Sequence, residues 1–159
     1  MKIIVISDSH GNIANLKHVL GFAKKIKAGG IIHCGDWDNV AAVNAVLSFK
    51  LPLYAVLGNA DVNPEIGKRL RMKGKRFDED FLEFEINNKK IGVIHSFNYL
   101  ISNIEYLNIL FCGHRHFRGE KIIDGVKVVY PGALHSIKPS FVVYDTTTND
   151  VEFVDLSNG

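Results

Sequence analysis

The chain has 159 residues, a length that fits one domain with a buried core of ordinary size. Nineteen Lys and Arg against seventeen Asp and Glu leave a formal charge of +2, which argues against a non-specific nucleic-acid binder. The apolar run after Met1 is too short for a secretion signal or a membrane span, and two cysteines are too few for a disulfide framework. We therefore expect a single domain, 1–159, located in the cytoplasm and without a membrane partner.

The first third of the chain alternates strand and helix patterns. Short runs rich in Ile, Val and Leu predict strands at 2–7, 31–34 and 53–57. Apolar residues at helical spacing predict a helix from Ile13 to the lysines before Gly29, and a second helix at 40–49. This βαβαβ succession implies a parallel sheet.

The rest of the chain is predicted to be mostly β. A basic helix or loop is expected at 64–75, and a short helix at 98–107. Asn87-Asn88 and Asp124-Gly125 are turn signals that predict hairpins. The predicted strands are 82–86, 90–94, 108–112, 120–123, 126–130, 141–144 and 151–154.

Side chains able to bind a metal follow five of the predicted strands. In chain order they are Asp8 and His10, Asp36, Asn59, His95, and His114 and His116. Because the carboxyl ends of strands form the binding crevice of open α/β sheets, we expect these side chains to converge. Any one segment could be a simple turn or a helix cap, but five in order favour a metal site.

The donor types indicate which ions would fit. Carboxylate, imidazole and amide donors without thiolate suit a divalent ion such as manganese, zinc or iron. Seven ligands are too many for one four-coordinate ion, whereas a shared carboxylate would divide them between two ions about 3.5–4 Å apart. Asp36 is the natural shared ligand. Two divalent ions would leave the site positive, which favours an anionic substrate such as a phosphate ester.

The ordered pattern D-x-H, G-D, G-N, H and G-H-x-H resembles the calcineurin-like metallophosphoesterases, and among them the small single-domain phosphodiesterases of bacteria and archaea. The resemblance runs from Met1 to about His116, with a weaker echo at 130–133. It implies an α/β (α+β) fold, in which two mixed sheets flanked by helices form a four-layer αββα sandwich.

The resemblance also implies a role for each candidate ligand. One ion would be held by Asp8, His10, Asp36 and His116, and the other by Asp36, Asn59, His95 and His114. A metal-bound hydroxide would attack a small or nucleotide-like phosphodiester at a catalytic centre that includes Asp36, Asn59 and His95. Mn²⁺ is the expected ion, with Zn²⁺, Fe²⁺, Ni²⁺ or Co²⁺ as alternatives. Arg115 is a candidate contact for a phosphate oxygen.

Three departures from the family pattern bear on the substrate. Ala60 stands where many family phosphatases carry a histidine that assists the leaving group, so a diester is expected rather than a monoester. His95-Ser96-Phe97 replaces the usual H-G-H, so the second histidine is missing, and Tyr130-Pro131-Gly132-Ala133 replaces N-P-G-S. Supporting or lining positions around the cleft are expected for His33, Trp37, Asp61 and His135.

Two other functions remain as alternatives. A catalytically weak or inactive protein-binding scaffold, of the kind known from a retromer subunit, would be expected to lose metal ligands, but all seven positions are intact. A nuclease would be expected to carry extra domains and a basic surface. The resemblance further suggests assembly as a homo-oligomer, and the expected partner is a small phosphodiester.

Overall fold

The protein contains two mixed β-sheets, of which the six-stranded one joins strands from both ends of the chain and the five-stranded one consists of consecutive strands. The computed structural model describes residues 1–72, 76–97 and 103–156. Its helices are α1 (Ile13–Lys25), α2 (Val40–Leu47) and α3 (Pro64–Arg71). In spatial order, the six-stranded sheet contains β11 (Asp150–Asp155), β10 (Ser140–Asp145), β1 (Lys2–Ile6), β2 (Gly30–His33), β3 (Leu53–Ala55) and β4 (Arg76–Phe77). The five-stranded sheet contains β5 (Phe81–Ile86), β6 (Lys89–Ile94), β7 (Ile109–Cys112), β9 (Val126–Pro131) and β8 (Arg118–Ile123).

The six-stranded sheet confirms the predicted βαβαβ succession. Strands β1 to β4 run parallel, while β10 and β11 add an antiparallel edge. Ile4 and Ile6 of β1 belong to the core shared with the three helices, whereas Ile3 and Val5 belong to the core between the sheets. Alternate residues of a strand point to opposite faces, so a strand buried on both faces must be apolar throughout.

Each of the three helices in the described ranges begins at an asparagine cap. The side-chain oxygens of Asn12, Asn39 and Asn63 each accept a hydrogen bond from a backbone N–H in the first turn. Such caps satisfy donors that the helix itself leaves unpaired. Helix α2 ends slightly earlier than the apolar pattern predicts, at Leu47 rather than at residue 49.

The five-stranded sheet contains both predicted two-residue hairpins. Asn87 and Asn88 have φ of 51° and 60°, and Asp124 and Gly125 have φ of 50° and 79°. Two consecutive positive φ angles are the geometry of the turn that matches the twist of paired strands. Strand β8 begins at Arg118, two residues before the predicted start, because Arg118 pairs with Pro131.

The outer face of the five-stranded sheet is covered by a segment that includes Ile104 and Leu107, which pack beside Leu110 and Tyr130. Residues 98–102 of the predicted helix 98–107 lie outside the described residues, and 103–107 are not helical. Residues 73–75 of the predicted segment 64–75 also lie outside them. Within the described ranges, no helix is both long enough and apolar enough to span a bilayer.

Candidate metal centre

Loops from both sheets meet at the carboxyl ends of the strands. The backbone N–H of Asp8, after β1, donates to Gly35 O after β2 at 3.0 Å. The other sheet joins them, because the His114 N–H donates to Asp8 Oδ2 at 3.1 Å and His95 Nδ1 lies 2.8 Å from Cys34 O. The loops that follow the strands therefore meet as predicted, but they come from two sheets and not from one sheet edge.

A first group of four side chains surrounds one point. The ligand atoms of Asp8, His10, Asp36 and His116 all lie within 4.8 Å of one another. His10 Nε2 is 3.3 Å from Asp36 Oδ2, and His116 Nε2 is 3.1 Å from Asp8 Oδ1. Two carboxylates and two imidazoles at these separations have the spacing and donor types of a divalent metal site.

A second group lies on the other side of Asp36. His95 Nε2 is 3.4 Å from Asp36 Oδ1 and 3.0 Å from Asn59 Oδ1. The ring of His114 lies edge-on to that of His95, with centroids 5.2 Å apart. Asp36 thus directs Oδ2 to the first group and Oδ1 to the second, which is the arrangement that a shared carboxylate requires.

Two buried polar atoms support a cation in the first group. Within the described part of the chain, Asp8 Oδ1 and His10 Nε2 are enclosed and have no hydrogen-bond partner. Asp8 is only 1% exposed, and the nearby His116 nitrogen is not aligned for a hydrogen bond to it. A buried carboxylate oxygen without a partner is costly, and a divalent ion would satisfy both atoms. The residues present therefore fit a metal.

His95 is held in one orientation. A carbonyl oxygen only accepts hydrogen bonds, so the contact with Cys34 O places the proton on Nδ1 and leaves the Nε2 lone pair toward Asn59 and Asp36. The ring is almost fully buried. A backbone carbonyl that fixes the tautomer of a histidine is typical of metal sites.

Asp61 organises the Asp36 loop, a role more specific than the expected position along the cleft. Its carboxylate accepts four backbone hydrogen bonds, from the N–H groups of Gly58, Asp36, Trp37 and Asp38, at 2.7–3.0 Å. Burial raises the pKa of Asp61, and the hydrogen bonds from Gly58 and Asp38 act in the opposite direction. Asp61 therefore joins the loops that carry Asp36 and Asn59 without being in either ligand group.

His33 is buried behind the loops that carry Asp8 and Asp36, and it contacts both of them. Its Nδ1 accepts the Gly35 N–H at 3.2 Å, so Nε2 carries the proton and donates to Ser9 Oγ at 3.0 Å. The ring stacks on Trp37 with centroids 3.6 Å apart. Burial lowers the pKa of His33 well below its usual value, which keeps the ring neutral. These contacts place His33 and Trp37 behind the Asp8 and Asp36 loops.

Five of the seven candidate ligands have left-handed backbone conformations. The φ angles are 50° at Asp8, 39° at His10, 60° at Asp36, 67° at His114 and 54° at His116. Positive φ is uncommon outside glycine and clusters at functional sites, where the surrounding structure enforces it. Here backbone bonds such as His10 N to Asp36 O, at 3.0 Å, tie the loops together.

Gly58 and Gly113 allow close approach. A Cβ atom on Gly58 would collide with the backbone and carboxylate of Asp36. A Cβ atom on Gly113 would lie 2.8 Å from Cys34 O and 2.9 Å from His95 Nδ1, the two atoms whose hydrogen bond orients His95. Each glycine of the G-N and G-H pairs is thus required by a ligand that packs against it.

Replacing Gly113 by alanine is expected to lower both stability and hydrolytic activity, since the methyl group would push His95 away from Cys34 O. We expect a loss of about 1–3 kcal/mol in the free energy of unfolding, as for other overpacked sites. Urea denaturation measures the change, and Gly21→Ala is the control because a Cβ there meets no atom within 4 Å. Wild-type stability in Gly113→Ala would contradict this account.

The remaining sequence candidates lie around the two groups. Arg115 is exposed in the loop between His114 and His116.

The two cysteines are not ionised. Burial raises the pKa of Cys112 to about 12 and that of Cys34 well above its usual value. This agrees with a site that uses no thiolate ligand.

Grooves open on both sides of the two groups. One, of about 270 Å³, is lined by Leu57, Gly58, Asn59, Glu79, Asp80, Ile94, His95 and Ser96. The other, of about 810 Å³, is lined by His116, Phe117, Arg118, Ser136, Ile137, Lys138, Ser140 and Asp155. Each groove reaches a candidate ligand, so a molecule placed over Asp36 has room on either side.

Comparison with known proteins identifies the fold. The chain is 24% identical over 143 residues to phosphodiesterase MJ0936 of Methanocaldococcus jannaschii, which covers 83% of each protein. The structure of an archaeal phosphodiesterase superposes with a TM-score of 0.84 and 22% identity, covering 98% of this chain and 99% of that one. The Escherichia coli phosphoesterase YfcE gives a TM-score of 0.72 and 17% identity, with 98% and 100% covered. The predicted arrangement of two mixed sheets with helices is confirmed by these structures.

The family itself follows from a match along most of the chain. The model of the calcineurin-like phosphoesterase superfamily domain matches residues 1–149. That range contains both ligand groups, with Asp36 between them, and all but one of the strands in full. The chain therefore belongs to the calcineurin-like phosphoesterase superfamily and is a hydrolase of phosphate esters.

Proposed function

We propose that the protein is a dinuclear, metal-dependent phosphodiesterase that hydrolyses a small or nucleotide-like phosphodiester at the loops described above. The observation that carries this proposal is the position of Asp36, whose two oxygens face different histidine-containing groups. A carboxylate so placed can serve two ions at once. The names of the relatives, a phosphodiesterase and an archaeal phosphodiesterase, support the same reaction class.

The first ion would be held by Asp8, His10, Asp36 and His116, and the second by Asp36, Asn59, His95 and His114. When bound, two divalent ions supply Lewis acidity that activates water and stabilises charge on the phosphoryl oxygens. The chain's own contribution is to keep the ligands in place before substrate arrives. Mn²⁺ is the ion proposed for the first assays.

Several residues would act on the substrate directly or through the ligands. Cys34 O fixes the tautomer of His95, so its free nitrogen stays directed at the second group. Arg115 is exposed beside the ligands, and its guanidinium suits a phosphate oxygen. The proposed catalytic centre is Asp36, Asn59 and His95, and Arg115 is the proposed substrate contact.

A diester fits this site better than a monoester. The Ala60 methyl group offers no proton to a leaving group, and its backbone N–H is already bonded to Asp36 Oδ1 at 2.9 Å. Without an acid at this position, esters with good leaving groups should react best. The two flanking grooves could each receive one ester group of a diester.

A paired assay tests the proposal. With Mn²⁺, we expect the purified protein to hydrolyse bis-p-nitrophenyl phosphate faster than p-nitrophenyl phosphate. Asn59→Ala and His116→Ala should each lower kcat/KM about a hundredfold or more, because each removes one ligand that supports transition-state stabilisation. His18→Ala, on the exposed face of α1, is the matched control and should keep wild-type activity.

Different outcomes identify which part of the proposal is wrong. Full activity in Asn59→Ala and His116→Ala would exclude the proposed site, and a strong monoester preference would refute the role given to Ala60. Metal binding without hydrolysis of any ester would favour the scaffold alternative. Cleavage of DNA as fast as the small diester would favour the nuclease alternative.

A further inference from the structure

We propose that His135 is an additional ligand of the first metal ion, which makes that site richer in imidazole than the family pattern indicates. The inference rests on the proposed function for the presence of that ion. His135 lies in the loop after β9, the strand that runs between β7 and β8 in the five-stranded sheet. A further strand end would thus contribute to the centre.

The position of His135 carries the inference. The imidazole nitrogens of His10, His116 and His135 provide one ligand atom each within 4.8 Å of one another. The ring centroid of His135 is 4.3 Å from that of His10 and 4.8 Å from that of His116, and both pairs meet edge to face. Three imidazoles at this spacing match the separation of ligands around a shared ion.

Hydrogen bonds prepare His135 to bind a metal. Its Nδ1 lies 3.0 Å from the backbone carbonyl of Asp8, an acceptor, so Nδ1 carries the proton and Nε2 has a free lone pair. His95 is held by Cys34 O in the same way. Histidines that ligate metals commonly bond a carbonyl through the other nitrogen.

The backbone around His135 is tied to the Asp8 loop. The N–H groups of Leu134 and His135 donate to Ser7 O at 3.1 Å and to Asp8 O at 3.2 Å. His135 therefore keeps its position relative to Asp8 and His10, the two ligands that the same loop supplies. A side chain fixed in this way loses little freedom when it binds an ion.

An extra imidazole changes which ions the first site favours. His10 and His116 also belong to the group that contains Asp8 and Asp36, so His135 would add a third nitrogen ligand to an ion held by that group. Imidazole binds zinc and cobalt well, whereas manganese prefers oxygen ligands. We expect His135 to raise the affinity of the first site for Zn²⁺ more than its affinity for Mn²⁺.

Metal titration of the intact protein tests this inference. Metal-free protein, prepared with a chelator, is titrated with Zn²⁺ or Mn²⁺ by calorimetry, and with Co²⁺ by visible absorption. In His135→Ala, we expect Zn²⁺ affinity at one of two sites to fall about tenfold or more, a smaller loss for Mn²⁺, and an altered Co²⁺ spectrum. His135→Gln should behave similarly, and His18→Ala should match the wild type.

The readouts separate this inference from the proposed function. Unchanged Zn²⁺ affinity and an unchanged Co²⁺ spectrum in both His135 variants would overturn the inference. If the KM of those variants for a diester nevertheless rose, His135 would be a substrate contact and not a metal ligand. An inactive wild-type protein that still binds two ions would instead contradict the proposed function. Circular dichroism of each metal-free variant shows that a changed affinity does not come from unfolding.

Discussion

Asp36→Asn is expected to lower kcat/KM for bis-p-nitrophenyl phosphate by about a hundredfold or more. The asparagine would keep one oxygen, which can still accept the Ala60 N–H now bonded to Asp36 Oδ1. Its NH₂ group would then face His10 Nε2, 3.3 Å from the present Oδ2. A neutral amide that directs hydrogens at the first group cannot hold a cation there, so the shared ligand would be lost.

Steady-state kinetics over a series of Mn²⁺ concentrations measures this effect. Asp38→Asn is the matched control, because Asp38 is also left-handed, with φ 73°, and is exposed two residues away. We expect the control to keep nearly full activity. If Asp36→Asn and Asp38→Asn were equally active, Asp36 would not be shared between two ions.

Asp61→Ala is expected to lower the free energy of unfolding by about 3 kcal/mol or more. The substitution removes the acceptor of four backbone N–H groups, which belong to Gly58, Asp36, Trp37 and Asp38. An unsatisfied buried donor costs about 1–3 kcal/mol, and water reaching the loop would offset part of the sum. Urea denaturation followed by far-ultraviolet circular dichroism measures the change.

The control for Asp61→Ala is Glu152→Ala, an exposed carboxylate on the edge strand β11. We expect it to change stability by no more than about 0.5 kcal/mol. Activity should also fall in Asp61→Ala, because the loop that carries Asp36 would lose its anchor. A variant as stable as Glu152→Ala would show that the four hydrogen bonds are replaced without cost.

Much of the site could be predicted because it depends on local pattern and strand direction. The apolar runs before Asp8 and Asp36 identify parallel strands, and parallel strands place their following loops at one edge. The spacing of His114 and His116 then brings one imidazole to each group. Turn chemistry was equally informative at Asp124-Gly125, where the hairpin forms as predicted.

Other features depend on contacts that no short segment reveals. Strand β4 has only two residues, Arg76 and Phe77, which pair with β3. A strand this short has no alternation of apolar and polar residues from which it could be predicted. The role of Asp61 arises only when two loops fold around its carboxylate. His135 is 125 residues from His10 in the chain, and only the hydrogen bonds to Asp8 bring the two rings together.

The left-handed backbone at the candidate ligands has a consequence for how such proteins diverge. Each non-glycine residue held at positive φ costs about 1 kcal/mol or more, and His10, His114 and His116 have no short polar side chain to relieve it. A descendant no longer selected for hydrolysis would gain stability whenever glycine or asparagine replaced one of these histidines. Substitutions that abolish hydrolysis would then also stabilise the folded protein. The fold would therefore be expected to persist in descendants that have lost the activity.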